Sequence, residues 1–231
     1  MPRSKKTQFE IRGVLFKGTL FEPDLLEECK GIMVFTHGLG YCQRQYRLDG
    51  EYFAKNNYLM FTYNLRGHAG NEGTWTLEDS VQDLSEIISY LLASYHFKNK
   101  ERLAVIGHST GALITLLACL KDKRIKAGSI VTVVTRLTDS FLYWFKSGFN
   151  EEVKKYFTAK GVLPPIINRF MDDEKMLYLY QQKKIPQTDL EVPHRYGMLR
   201  SDSWNQFFHE IAHSVNIIDY ADKLTIPLLF F

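Results

Sequence analysis

Leu103-Ala104-Val105-Ile106-Gly107-His108-Ser109-Thr110-Gly111-Ala112 is the stretch from which the rest of the chain can be read. Arg102 to Ile106 carries a continuous apolar run, the pattern of a strand buried on both faces, and Ala112 to Leu120 is an apolar helix. Between them stands G-x-S-x-G. A serine forced into so sharp a turn needs neighbours without side-chain bulk, which Gly107 and Gly111 supply, and its hydroxyl is then held out over the helix N-terminus. The backbone N–H of Thr110 points at the same place, where unsatisfied amides carry partial positive charge and favour a developing oxyanion. Ser109 is therefore a candidate nucleophile. Two glycines around a serine can also be no more than a strand-to-helix turn. The strand before it, the helix after it and an upstream strand ending in His37-Gly38-Leu39-Gly40 are the surroundings that the chemical reading demands.

Outward from this corner the pattern repeats. Gly31 to Thr36 and Tyr58 to Tyr63 are two more buried strands, the first running into His37-Gly38-Leu39-Gly40 and the second into Asn64-Leu65-Arg66-Gly67-His68-Ala69-Gly70. Tyr52 to Asn56 has the look of a helix end. From Thr76, an N-cap with Asp79 three residues on, a helix is predicted because Leu77, Val81, Leu84, Ile87, Ile88, Leu91 and Leu92 recur at helical spacing. Glu78, Asp79, Asp83 and Glu86 take its other face. A fourth strand is predicted over Ser129 to Thr135, and Phe9 to Phe21, with Gly13 and Gly18, suits an antiparallel hairpin at a sheet edge. Strand and helix in alternation argue an α/β fold, a mostly parallel sheet flanked by helices, whose ligands bind beyond the carboxyl ends of the strands.

The strand pattern disappears after residue 138. Residues 139–216 crowd in aromatics such as Trp144, Phe149, Tyr156, Tyr180, Tyr196 and Trp204, and are predicted to form a helical insertion lying as a cap over the strand ends. About half of these rings are expected to be simple packing. Residues 217–231 return to the core, with Ile226 to Phe231 as a last buried strand, so the division is 1–138, 139–216 and 217–231.

The 231 residues, 45% hydrophobic and 24% charged, suit one domain with a core that needs no disulfide or metal. The net charge of +3 is spread along the chain, an ordinary solvated surface that argues against a nucleic-acid partner. Cys29, Cys42 and Cys119 are odd in number, widely spaced and without a C-x-x-C pair, which favours a reducing compartment. The start is polar and basic with no apolar stretch behind it, and charges or prolines interrupt every later hydrophobic run. A cytoplasmic protein without stable membrane insertion and without a cofactor is expected.

His37-Gly38-Leu39-Gly40, Leu65-Arg66-Gly67-His68-Ala69-Gly70-Asn71-Glu72-Gly73 and Gly107 to Gly111 together resemble the α/β-hydrolase superfamily, and most its monoacylglycerol lipase and serine aminopeptidase-like branch. The resemblance runs from about Gly31 to the last residue, the insertion matching in position and character. It implies that the N–H of Leu39 is the second oxyanion donor beside that of Thr110. His37, Gly38, His108 and residues of the cap are candidate substrate contacts. The second block departs from the family pattern, which has an aspartate, then R-G-H-G and a serine, where this chain has Asn64, Ala69 and Asn71. Altered loop packing with unchanged chemistry is the expectation.

In this fold the nucleophile is followed along the chain by an acid and then a histidine. The acid belongs to the loop after the strand that here ends at Phe231, and the histidine lies further on, so the chain is expected to be truncated before both. A serine hydroxyl without a base is a poor nucleophile, and loss of the triad serine or histidine costs on the order of 10⁶-fold in the best-studied protease. By the usual route this chain should be nearly inactive. His68 is expected to be structural, His37 to order its own loop and His108 to diverge from its neighbour. His194, His209 and His213, with Asp219 and Asp222 nearby, are the remaining stand-ins for a base.

His209-Glu210-Ile211-Ala212-His213 matches the H-E-x-x-H zinc pattern, yet no Glu, His or Cys follows as a third ligand, and a polar helix face is the better reading. An apolar cover over a serine suits an acyl chain, so a small-molecule carboxylic ester, of acyl-ester or monoacylglycerol type, is the expected substrate. Thioesters and small peptides share the chemistry. The competing reading is a non-catalytic relative that keeps the pocket and binds an acyl ligand or a protein. Oligomeric state is not legible.

Overall fold

The hairpin at the start of the chain is longer than its apolar residues suggest. In the computed structural model, which describes residues 3–43, 50–95, 99–135, 203, 206 and 216–230, β1 (Arg3–Ile11) pairs antiparallel with β2 (Val14–Glu22). Arg12 and Gly13 join them at φ 52° and 72°, the left-handed pair that a two-residue hairpin turn requires. The pairing expected from Phe9 extends back to Arg3, whose partner is Glu22, and β1 is the outermost described strand on this side of the sheet. Its first residues, with Lys5 and Lys6, lie exposed, and such charges discourage pairing with another chain.

The described strands form one sheet in the order β1-β2-β4-β3-β5-β6-β7. Here β3 is Gly31–Thr36, β4 Tyr58–Tyr63, β5 Leu103–His108, β6 Ile125–Val131 and β7 Leu228–Phe230. Strands β3 to β7 are parallel with one another, and β2 meets β4 antiparallel. The expected α/β sheet is therefore present. Register does the positioning: Thr36 lies opposite Tyr63 on one side and Gly107 on the other. Three strands thus end at one level, and the loops that follow them emerge side by side.

Helices cover both faces. α2 (Leu77–Ser94) begins as predicted, with the Thr76 hydroxyl accepting the Asp79 N–H at 2.9 Å, and it buries Leu84, Ile87, Ile88 and Leu91. Each such side chain contributes about 1.5–3 kcal/mol on burial. Tyr90 of α2 stacks on Phe9, which stacks on Phe16. α3 (Thr110–Lys121) packs beside α2 and is buried almost all round. α1 (Gly50–Lys55) lies on the opposite face, its Gly50 Cα against the ring of Phe21, which points away from Phe16 by the two-residue period of β2.

One boundary and two burial assignments differ from the sequence reading. β6 begins and ends four residues before the predicted Ser129 to Thr135, because Thr132 takes φ 50° and breaks the extended run. Asp83, assigned to the solvent face of α2, is 1% exposed because it pairs with a buried arginine. β7 was expected to be buried, yet Leu229 and Phe230 are each 57% exposed. It is the outermost described strand and has a described neighbour, β6, on one side only.

Apart from Ser203, Gln206 and Asn216, the predicted insertion lies outside the described residues, as do His194, His209, His213 and Phe231. Asp219 and Asp222 sit exposed in a 3-10 turn, Ile217–Lys223. Among the described residues no helix is long and apolar enough to cross a membrane, and no group of three or more His, Cys, Asp or Glu is placed to hold a metal.

Candidate active site

Ser109 stands where β5 turns into α3, with φ 55° and ψ −122°. A residue with a Cβ pays for that conformation with on the order of 1–3 kcal/mol of strain, and only firm surroundings sustain it. Those surroundings are visible. The Ser109 N–H donates to Val131 O at 3.0 Å, which ties the corner to the end of β6, and Ser109 O accepts from Ala112 N–H at 2.9 Å to start the helix. A Cβ on Gly107 would fall 2.7 Å from the Ala112 Cα and on the Gly111 carbonyl, while one on Gly111 would fall on the carbonyls of Thr36 and His37. Both glycines are thus required by close backbone approach. The second contact also shows that the first turn of α3 packs directly against the start of the 37–40 loop.

Ser109 makes no cap hydrogen bond with its side chain, so the hydroxyl is not consumed by the helix it heads. It is half-buried, and Thr110 behind it is 4% exposed. The peptide N–H groups of Leu39 and Thr110 form no hydrogen bond among the described residues. Unengaged donors of this kind are what an oxyanion site uses.

The neighbouring loops are braced by two histidines. His37 Nδ1 bonds Gly38 O at 2.8 Å, and its Nε2 accepts the Leu65 N–H at 2.9 Å. His68 Nδ1 bonds Arg66 O at 2.8 Å, and its Nε2 accepts the Gly40 N–H at 3.1 Å. An imidazole that accepts an amide hydrogen at Nε2 and faces a carbonyl at Nδ1 is neutral with its proton on Nδ1. Burial lowers the pKa of His37 to about 4, and burial together with His37 holds His68 well below the ordinary histidine value. Both rings are fully buried, so His37, a candidate substrate contact by sequence, has no ring nitrogen left for a ligand. Gly38 is buried as well, and His108 is half-buried, its pKa lowered by burial.

The departures at Asn64, Ala69 and Asn71 are absorbed locally. Asn64 Oδ1 accepts the Gln43 N–H at 3.0 Å, and Asn71 Oδ1 accepts the Lys17 N–H at 3.1 Å, so both amides tie the loop to its neighbours. Ala69 takes φ 50°, a conformation easier for the glycine of the family pattern. Sequence reasoning missed the anchor beneath them. Arg66 donates two hydrogen bonds of 2.6 Å to the Asp83 carboxylate, with Asp79 at 3.5 Å, and Arg12 of the hairpin turn reaches both acids. Burial works against the Arg66 charge, but Asp83 and Asp79 outweigh it; burial also lifts the Asp83 carboxyl despite the pull of Arg66 and Arg12. The spacing of Asp79 and Asp83, one turn apart on α2, was the available signal. The Trp75 N–H donates to the buried Ser203 Oγ at 2.8 Å, which fills the space beside the Gly67 Cα.

A family model described as serine aminopeptidase, S33, matches residues 27–230. Protein phosphatase methylesterase 1 of Debaryomyces hansenii is 24% identical over 188 residues, 77% of this chain. The chain spans about half the length, 47%, of that relative. Among solved structures, the α/β hydrolase GrgF of Penicillium sp. sh18 superposes with a TM-score of 0.65 at 15% identity, covering 99% of this chain and 79% of the other. An esterase of Pyrococcus furiosus gives 0.57 at 16% identity, covering 99% and 70%. At such identities the likeness is one of fold.

Proposed function

This chain belongs to the serine aminopeptidase S33 family of α/β hydrolases, and from that premise we propose that it is the part of a serine esterase that carries the nucleophile and the oxyanion hole. Ser109 attacks the carbonyl of a small carboxylic ester. The negative charge that develops on the carbonyl oxygen is met by the N–H groups of Leu39 and Thr110, the alcohol leaves, and water hydrolyses the acyl-serine. The single observation that carries this reading is the backbone of Ser109, a serine held at φ 55° between β5 and α3. An ester substrate is favoured over a peptide because the methylesterase relative and the structurally similar esterase are both named for ester cleavage. Three free buried cysteines favour a reducing, cytoplasmic setting.

The base is assigned outside the described residues. Both ring nitrogens of His37 and His68 are committed to backbone groups, and a protonated ring at either position would lose its amide partner. We place the acid and histidine outside the described residues, with His194, His209 and His213 as candidate bases within the chain, and propose residues 139–216 as a cap over the strand ends. A fluorophosphonate probe tests the proposal. The gene product extended past Phe231 is expected to label at Ser109, Ser109→Ala to abolish labelling, and the 231-residue chain to label far more slowly. Absence of labelling in the extended product would refute the esterase reading and favour the ligand-binding one.

A further inference from the structure

The reciprocal histidine brace ends on the residue next to a proposed oxyanion donor. We propose that His68 is a positioning residue: by accepting the Gly40 N–H across the gap between two strand ends, it fixes the Gly38–Gly40 loop so that the Leu39 amide faces Ser109. This rests on the reading of Leu39 as an oxyanion donor. The geometry is specific. β3 and β4 are parallel and end in register at Thr36 and Tyr63, so their loops leave side by side with no backbone ladder to hold them. In place of a ladder, His37 reaches across to Leu65 N–H at 2.9 Å and His68 reaches back to Gly40 N–H at 3.1 Å. Each ring is oriented by a 2.8 Å bond from Nδ1 to a carbonyl of its own loop. Gly40 has φ 73°, a left-handed turn that a side chain would strain, and its amide is aimed inward at His68.

Few side chains can do this. The position needs an acceptor at the place of Nε2 and a donor at the place of Nδ1, which neutral histidine offers, glutamine half offers and phenylalanine lacks. Protonation converts the acceptor into a second donor facing the Gly40 N–H, so acid should release the loop. Among the described residues the titratable group that faces His68 is His37, with ring centroids 5.1 Å apart at 66°. The nearby charges are turned elsewhere, the Arg66 guanidinium to Asp83 and Asp79, and Lys17 Nζ to Gly70 O at 3.1 Å. Burial and the neighbouring ring hold His68 neutral through the physiological range.

The test combines two readouts on the gene product extended past Phe231. In nitrogen-15 spectra of the wild type at neutral pH, a scalar coupling across the hydrogen bond between the Gly40 amide and His68 Nε2 is expected, and it should vanish on acidification together with the unprotonated Nε2 signal. In the second readout, His68→Phe is expected to slow fluorophosphonate labelling of Ser109 on the order of 10²-fold, the loss that follows about 1 Å of misplacement. His68→Gln should recover part of it, while hydrogen exchange at Val105 in β5 stays slow in both variants. No coupling in a wild type that labels normally overturns the brace alone. Coupling without labelling sinks the nucleophile reading and the use of the brace with it. If His68→Phe does not fold, judged by lost protection at Val105, the coupling and the acid limb of wild-type labelling decide. A labelling rate that does not fall as the coupling disappears overturns the proposal.

Discussion

Replacing Ser109, the proposed nucleophile, by glycine should make the protein more stable than replacing it by alanine. Ser109 occupies φ 55° and ψ −122°, where a Cβ carries on the order of 1–3 kcal/mol of strain. Alanine keeps the Cβ and therefore keeps the strain, whereas glycine removes it. Glycine in turn costs about 0.4–1 kcal/mol through the greater freedom of the unfolded chain. Both variants lose the same hydroxyl, which makes no cap bond, so no compensating loss separates them. The difference, about 1–2 kcal/mol in favour of Ser109→Gly, should appear as a rise of about 0.5 M in the urea midpoint for a slope near 3 kcal/mol per molar. Equilibrium unfolding followed by circular dichroism at one pH measures it. An Ser109→Gly midpoint at or below that of Ser109→Ala would show that the corner is relaxed and that strain is no part of its design.

Gly111→Ala should cost at least about 3 kcal/mol, because the added methyl falls on the backbone carbonyls of Thr36 and His37, which cannot rotate away. Gly13→Ala, with open space around it but φ 72°, should cost only about 1 kcal/mol, and urea midpoints of the pair check the contrast. Asp83→Asn leaves the buried Arg66 guanidinium without its bidentate partner and should cost about 3 kcal/mol, read from the same unfolding curves. Acidification should destabilise the fold through the two braced histidines. Above pH 6.5 their contribution is fully present; as pH falls from 6.5 towards the native value of about 4 for His37, the unfolded chain takes up protons that the native rings refuse, and stability drops by about 1.4 kcal/mol per pH unit per ring. A urea midpoint that is unchanged between pH 7 and pH 5 would refute that sign.

The strand-to-helix corner at Ser109 was legible because it is local: two glycines, a strand and a helix lie within a few residues of Ser109, and each is dictated by the turn itself. The parallel sheet was legible for the same reason, since each buried strand announces itself by a continuous apolar run. The braces were not. His37 and His68 each bond to a backbone group 28 residues away, and nothing in the spacing marks a side chain whose partner is an amide of another loop. Asp83 was misplaced because helical periodicity assigns every charge to solvent unless its counter-ion is known, and that counter-ion, Arg66, belongs to the loop after β4. β6 was shifted because Val133 and Val134 prolong the apolar run past Thr132, where the backbone already turns.

The hydrogen bond from Trp75 to Ser203 spans 128 residues of sequence. Closing a loop of that length costs about 4 kcal/mol of chain entropy, against about 3 kcal/mol for the shorter step that brings β3 beside β4. Contacts of such long range lag behind local ones as a chain acquires its structure. On the ribosome, then, the turn at Gly67 has to wait, unplugged and open to water, through the synthesis of everything up to Ser203. Ser203 thus reaches the turn at Gly67 long after that turn itself has been translated.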